Sequence, residues 1–410
     1  MVNSKNTPTT DLRLAYVISD PNIDLSKRGG PRTHIMNTIH GFERHGIQVR
    51  VFAASDYREK NNIGESPPSS RKSKPRKKNR IRSIISEARV RIKAKKLPRQ
   101  LESDLEEFAP HCMYERSWIF SDGFIAIARK LDSLIILETS TCEAEIHQDI
   151  YGLFSVPLTN WREGRKLRRS DAVATQSSAS VSVAREKFKL PPSLPVIAKP
   201  LSYEIPGSLP PRADLKAVDE LSAQFGLIVI FIGTFGRYQG PEFLMEVIEQ
   251  SQRQSLDVGF ILCGAGGEQK SCAEFAEFRE LRNVLFTGML NDNELSHVGS
   301  VAHLAIVPDC DEHMAPIKMH EYASHGLSVL VPDYVAFDEF GAEQNAVLRF
   351  EPGNASSVTD LLRRCADAEI DVAAGGRDLR EIIGRSFDSY QVTSGIVRFI
   401  REGRKSSSDD

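Results

Sequence analysis

The chain has 410 residues, 26% charged and 40% hydrophobic, with a net charge of −2 at pH 7. That length suits two or three domains with large cores, and the near-balanced charge argues against a polyanion as the partner of the whole chain. No apolar run nears the ~20 residues of a membrane-spanning helix, and the first ten residues are polar, so no secretory signal core is expected. The six cysteines, at 112, 142, 263, 272, 310 and 365, show neither a Cys-x-x-Cys pair nor metal-ligand spacing. Reduced thiols in a cytoplasmic chain are expected, with no metal and no cofactor.

Residues 12–19 read as a strand. Gly29 and Gly30 follow, then Ile35, Ile39 and Phe42 recur at helical spacing up to Gly46, and 47–52 is the next strand. This is a βαβ unit with glycines just before its helix, where only glycine lets the backbone come close to a ligand. A plain turn is the simpler reading of that pair.

Residues 56–100 break the pattern. About half of 71–99 is Lys or Arg, and Glu87 is the sole acid there. The part up to Asn79 is polar and reads as disordered. Beyond it Ile81, Ile84, Ile85, Ala88 and Ile92 share one helical face, and cations fill the others. Two readings stay open: a basic amphipathic helix over 80–99 on an anionic membrane surface, or an ordinary crossover helix packed on a sheet. Nucleic acid is not an expected partner, because the run lacks aromatics.

Residues 112–116 read as a strand ending in Glu115-Arg116, 123–131 as a helix, 133–138 as a strand, 161–169 as a basic helix and 171–177 as a strand. Seven prolines in 191–219 predict an interdomain linker. Residues 227–232 are a fully buried strand, and the glycine-rich turn 233–240 can offer backbone amides to phosphate oxygens. Residues 258–263 and 283–288 read as further strands, the first ending in Gly264-Ala265-Gly266. Residues 387–401 form a last amphipathic helix, and 405–410 read as a disordered tail.

The stretch 313–326 lies between two buried strands, 304–308 and 328–332. Pro316 reads as a helix N1 residue and Gly326 as its stop, so the segment is one crossover of a parallel sheet. Lys318 then sits at a helix N-terminus, where a bound anion offsets its charge. Glu321 lies one turn on, where its carboxylate can accept from a ribose diol. Together they suggest a nucleotide diphosphate site; the alternative is a surface Lys–Glu ion pair.

Ala-Pro-Ile-Lys-Met-His-Glu-Tyr-Ala-Ser-His-Gly, from Ala315 to Gly326, resembles the donor-site signature of the family 4 retaining glycosyltransferases. The resemblance implies an α/β chain of GT-B architecture, with two Rossmann-like domains and an interdomain cleft. It implies Lys318 on the donor diphosphate, Glu321 on the ribose, and Met314, Ala315, Pro316 and Ile317 along the donor loop. Gly-Gly-Pro-Arg-Thr-His at 29–34 resembles the phosphate-facing loop after the first strand, which brings in Gly29 and Gly30. Tyr-Glu-Arg-Ser at 114–117 and Leu-Glu-Thr at 137–139 resemble further landmarks, and the resemblance places Glu115, Arg116, Glu138 and Glu145 on the acceptor side. Gly264 belongs to a Gly-x-Gly turn of the nucleotide half. Three positions depart from the pattern. His313 stands where relatives carry a Glu on the donor sugar, and Thr234 and Gln239 stand where many carry Arg and Lys. His313 is the candidate sugar contact, and Arg237 is the nearby cation that could serve the phosphates.

The implied domains are 1–200, on the acceptor side; a linker at 201–220; 221–385, for the nucleotide-sugar; and 386–410, a helix crossing back and the tail. The implied function is retaining transfer of a sugar from a nucleotide-diphosphate sugar to an acceptor sugar, glycolipid or small molecule, as in polysaccharide assembly. Lys318, Arg237 and His313 would be its catalytic residues. With a membrane-bound helix the enzyme would be peripheral at the inner membrane face. Two rivals remain: a degenerate GT-B scaffold for another transferase, and a GT-B sugar-nucleotide epimerase.

Overall fold

The computed structural model describes residues 12–21, 23–26, 30–54, 80–141, 143–145, 147, 153, 155–310, 317–341 and 345–408. The chain divides into two compact units, Met1–Ser202 with Asp388–Asp410, and Tyr203–Phe387. The expected disordered stretch 56–79 lies outside the described residues.

The first unit runs β1 (Arg13–Ile18), α1 (Gly30–Arg44), β2 (Gln48–Phe52), α2 (Arg80–Ala94), α3 (Lys96–Phe108), β3 (Cys112–Arg116), α4 (Phe124–Lys130), β4 (Leu134–Thr139), α5 (Val156–Leu167), β5 (Ala172–Thr175), α6 (Ala179–Phe188) and β6 (Val196–Ala198). The strands form one parallel sheet in the order β2-β1-β3-β4-β5-β6. Successive strand residues face opposite sides, and both sides are apolar. Ala15, Val17, Met113 and Leu137 pack under α3, α4 and α5. Tyr16, Ile18, Tyr114 and Ile136 pack under α1.

The second unit runs α7 (Lys216–Ser222), β7 (Leu227–Ile232), α8 (Pro241–Arg253), β8 (Val258–Cys263), α9 (Gln269–Phe278), β9 (Val284–Gly288), α10 (Asp292–Val301), β10 (Leu304–Ile306), α11 (Lys318–Ser324), β11 (Ser328–Pro332), β12 (Val347–Phe350), α12 (Ala355–Ala366) and α13 (Val372–Ser386). Its parallel sheet has the order β12-β11-β10-β7-β8-β9. The last helix, α14 (Ser389–Ser408), returns to the first unit and packs on α1, where Gly41 leaves room for the Ser389 backbone and Thr393.

Three readings are corrected. The tail is helical as far as Ser408, because no proline interrupts it and α14 continues through Gly403. The proline-rich linker contains β6, framed by Pro195 and Pro200, and its end is α7. The basic stretch is two helices broken at Lys95, not one. The crossover face belongs to α3, through Leu97, Leu101 and Leu105. On α2, Val90 and Ala94 meet the Trp118 cluster, while Ile84, Ile85 and Ile92 are 45%, 47% and 61% exposed. No helix among the described residues is long and apolar enough to cross a membrane.

Candidate active site

In the second unit the strand order turns back between β7 and β10. The loops after these two strands therefore part, and such a point is where open parallel sheets bind ligands. The loop after β7 packs against the loop after β8 through glycines. Gly264 has φ +135°, and a Cβ there would lie 1.8 Å from the Gly233 carbonyl oxygen. A Cβ on Gly266 would meet the Phe235 backbone at 2.6 Å. Gly233 N–H donates to Cys263 O at 3.0 Å, and Phe235 N–H to Ala265 O at 3.1 Å. Only glycine permits this approach, and it leaves bare backbone at the strand ends.

Lys318 opens α11 and reaches into this corner. Its ammonium donates to the Gln239 side-chain oxygen and lies 4.6 Å from the Phe231 ring centroid. Tyr322 fixes the helix beneath it: Ile232 N–H donates to Tyr322 Oη at 2.9 Å, and that hydroxyl donates to Ile306 O at 3.2 Å. One side chain thus ties α11 to the ends of both β7 and β10. Burial lowers the Lys318 pKa to about 8, opposed by Cys310 and Glu321. Burial raises Glu321, and the Lys318 charge lowers it. The Lys318 ammonium turns to Gln239 and Phe231, and no ion pair joins it to Glu321 among the described residues.

Arg237 is 79% exposed, and its Nε donates to Glu268 at 3.2 Å. Thr234 and Tyr238 share a hydroxyl contact of 2.8 Å. Ile317 immediately precedes α11. His313, Met314, Ala315 and Pro316 lie outside the described residues, as does Gly29; Gly30 is the first residue of α1.

In the first unit Glu138, next to last in β4, is fully buried. It accepts from Tyr114 Oη at 2.7 Å and Gln176 Nε2 at 3.1 Å, and meets His34 Nε2 at 2.5 Å. Lys199 stands 3.7 Å away, also fully buried. Burial lowers the His34 pKa to about 4, so the ring is neutral near pH 7. Burial also opposes the Glu138 charge, but its partners hold the carboxyl well below the ordinary range. Since the ring is neutral, Lys199 and Arg116 supply the fixed positive charge. Glu145 is bound by Lys187 at 2.9 Å and Asn160 at 3.0 Å; together they outweigh burial and lower its pKa.

Residues 226–367 match the family described as Glycosyl transferases group 1. That match spans about a third of the chain, all of it within the second unit. α-D-Kanosaminyltransferase of Streptomyces kanamyceticus is 22% identical over 193 residues, 43% of this chain and 49% of that protein, so the chain matches about half the length of this curated relative. HepE of Anabaena, solved with UDP, superposes with a TM-score of 0.67 at 14% identity, covering 95% of this chain and 100% of that one. Sucrose-phosphate synthase of Thermosynechococcus elongatus gives 0.67 at 15% identity, covering 96% and 100%. At these identities the likeness establishes the fold, which is GT-B.

Two features are not legible in the sequence. Gln239 replaces an expected cation, and only the structure makes it the acceptor for Lys318. The buried Lys199 follows a short apolar strand and precedes a proline, and nothing local announces its partner Glu138.

Proposed function

We propose that the protein moves a sugar from a nucleotide-diphosphate sugar to an acceptor with retention at the anomeric carbon. The observation that carries this reading is the Lys318 ammonium, held against the glycine turn after β7 at a switch point of the sheet. In a retaining front-face transfer the leaving diphosphate takes the acceptor proton. The enzyme must stabilise the charge that develops there, and preorganised cations and backbone amides do so. Lys318 supplies a charge, Arg237 a second at the rim, and the backbone of Thr234 and Gly264 supplies uncharged contacts. Glu321 accepts from the ribose. His313 is the proposed contact to the donor sugar. HepE of Anabaena has been solved with UDP and with UDP-glucose, which makes UDP-sugars the first donors to try here.

The test is release of UDP from UDP-glucose with and without an acceptor mixture, with the product anomer read by NMR. Acceptor-dependent release with a retained α-linkage supports the reading. Release that ignores the acceptor refutes it, and an inverted product refutes retention.

We also infer that the enzyme works at an anionic membrane surface, which suits a lipid-linked acceptor. The exposed Ile84, Ile85 and Ile92 of α2 support this, and so does α5, where Trp161 is 57% and Leu158 38% exposed. Arg162 beside Trp161 meets Glu87 of α2 at 3.5 Å, so the two helices adjoin. Arg89, Lys95, Lys96, Arg162 and Arg165 are exposed on or beside these helices, and each cation adds roughly 1 kcal/mol near anionic lipid.

A further inference from the structure

The helix that carries Lys318 and Glu321 is too short to hold its own position. α11 has seven residues, and a helix of that length is marginal unless packing fixes it. Tyr322 fixes the face toward β7 and β10. A second set of contacts grips the face that carries His320 and Ser324, which lie one turn apart. It comes from the two places where the chain enters and leaves the second unit, Tyr203 and Phe387. Tyr203 N–H donates to Phe387 O at 2.9 Å, so the entering and leaving segments are tied to each other.

Both segments close on His320, which is buried. The Tyr203 ring stacks on the His320 ring with centroids 5.7 Å apart, and Phe387 meets it edge-on at 5.0 Å. Phe340 stacks on Phe387 at 4.9 Å and completes the aromatic cluster. His320 Nδ1 meets the carbonyl of Ile317, the residue that precedes α11, at 3.2 Å. One turn on, the Tyr203 hydroxyl bonds to the Ser324 side chain, and Ser324 Oγ donates to Glu321 O at 2.7 Å. Arg380 of α13 donates to Ser324 O and, at 3.3 Å, to Pro206 O, so it straps the segment 203–206 to the end of the helix. Glu321 follows His320 and lies one turn before Ser324, beside both anchors. Burial raises the Tyr203 phenol pKa and Ser324 opposes this; the Glu321 charge raises it further, which puts the carboxylate within electrostatic reach of the phenol.

We propose that Tyr203 is a positioning residue for the donor site: stacked on His320 and bonded to Ser324, it sets where α11 presents Glu321, and so how firmly the site holds a ribose diol. This rests on the reading of Glu321 as the ribose contact. Lys318 is set from the other side of the helix, through Tyr322 and Gln239. Loosening Tyr203 is therefore felt at the ribose and not at the diphosphate.

The experiment is calorimetry of the full chain with UDP, 2′,3′-dideoxy-UDP and pyrophosphate. Wild type should bind UDP more tightly than the dideoxy nucleotide, and the ratio of the two affinities reports the ribose contact. Tyr203→Phe removes the hydroxyl and keeps the stack; Tyr203→Leu removes both. The ratio should fall in each, by about threefold or more in Tyr203→Leu, the scale of one hydrogen bond. Pyrophosphate affinity should stay at its wild-type value. Thermal melting checks that each variant folds. Val358→Ala, in the buried core on the other face of the sheet, controls for plain loss of stability: it should lower the melting temperature and leave the ratio unchanged. A wild-type ratio in the folded Tyr203 variants, or equal loss of UDP and pyrophosphate affinity, overturns the proposal and leaves the donor site standing. A wild type that does not bind UDP, or binds it no better than the dideoxy nucleotide, refutes the ribose reading itself and the proposal with it.

Discussion

The Lys318 ammonium donates to the side-chain oxygen of Gln239, a residue 79 positions earlier in the chain. Many family 4 enzymes are expected to carry a lysine where Gln239 stands. In the proposed donor site one cation does the work of two, and the Gln239 amide oxygen is the contact that a diphosphate would take over.

This arrangement makes pH a probe of Lys318. Burial holds its pKa at about 8, below the ordinary lysine value of 10.5. UDP needs the ammonium, so UDP affinity should be greatest below about pH 8 and fall above it, with proton uptake on binding. Stability should move the other way. Between about 8 and 10.5 the unfolded chain binds more protons at this residue, so its contribution to stability rises with pH. Lys318→Met should remove both trends, read by calorimetry and urea unfolding across that range. Identical pH profiles for wild type and variant would contradict the assignment.

Gly264→Ala tests the crossing of the two glycine turns. The new methyl would sit 1.8 Å from the Gly233 oxygen on a backbone of φ +135°. Strain and overpacking together should cost about 2–5 kcal/mol. Chemical denaturation measures it, and a cost under about 0.5 kcal/mol would show that the turns can part freely.

Glu138→Gln separates structure from acceptor recognition. The substitution leaves Lys199 buried without its counter-charge. The expected loss is about 3–5 kcal/mol, with UDP affinity of the folded protein unchanged. Wild-type stability in the variant would mean that Glu138 is not the partner that keeps Lys199 charged.

How far the sequence foretold these features depended on whether the signal was local. Residues 227–232, 258–263 and 328–332 are strands buried on both faces, so their unbroken apolar runs were enough. The break at Lys95 was hidden because cations flank it on both sides, although Leu97, Leu101 and Leu105 already marked a second stripe. Lys318 and Glu321 stood out because a helix start, a glycine stop and two strands frame them. Glu138 lies on β4 and Lys199 just beyond β6, and they meet only through the fold, so no spacing could have joined them.

Membrane contact has its own test. Trp161→Ala combined with Ile92→Ser should weaken cosedimentation with phosphatidylglycerol vesicles by about tenfold or more, given the apolar area removed, and leave UDP binding intact. Undiminished vesicle binding would move the contact away from α2 and α5.

The most direct test of the central claim is calorimetric titration of wild type, Lys318→Ala and Glu321→Ala with UDP and GDP. The account predicts micromolar binding of UDP by wild type. It also predicts a loss of about tenfold or more in each variant, the scale of a charge-assisted hydrogen bond. Binding that survives both substitutions would place the nucleotide elsewhere. Absence of binding by either nucleotide would contradict the donor site and favour a scaffold that serves another transferase.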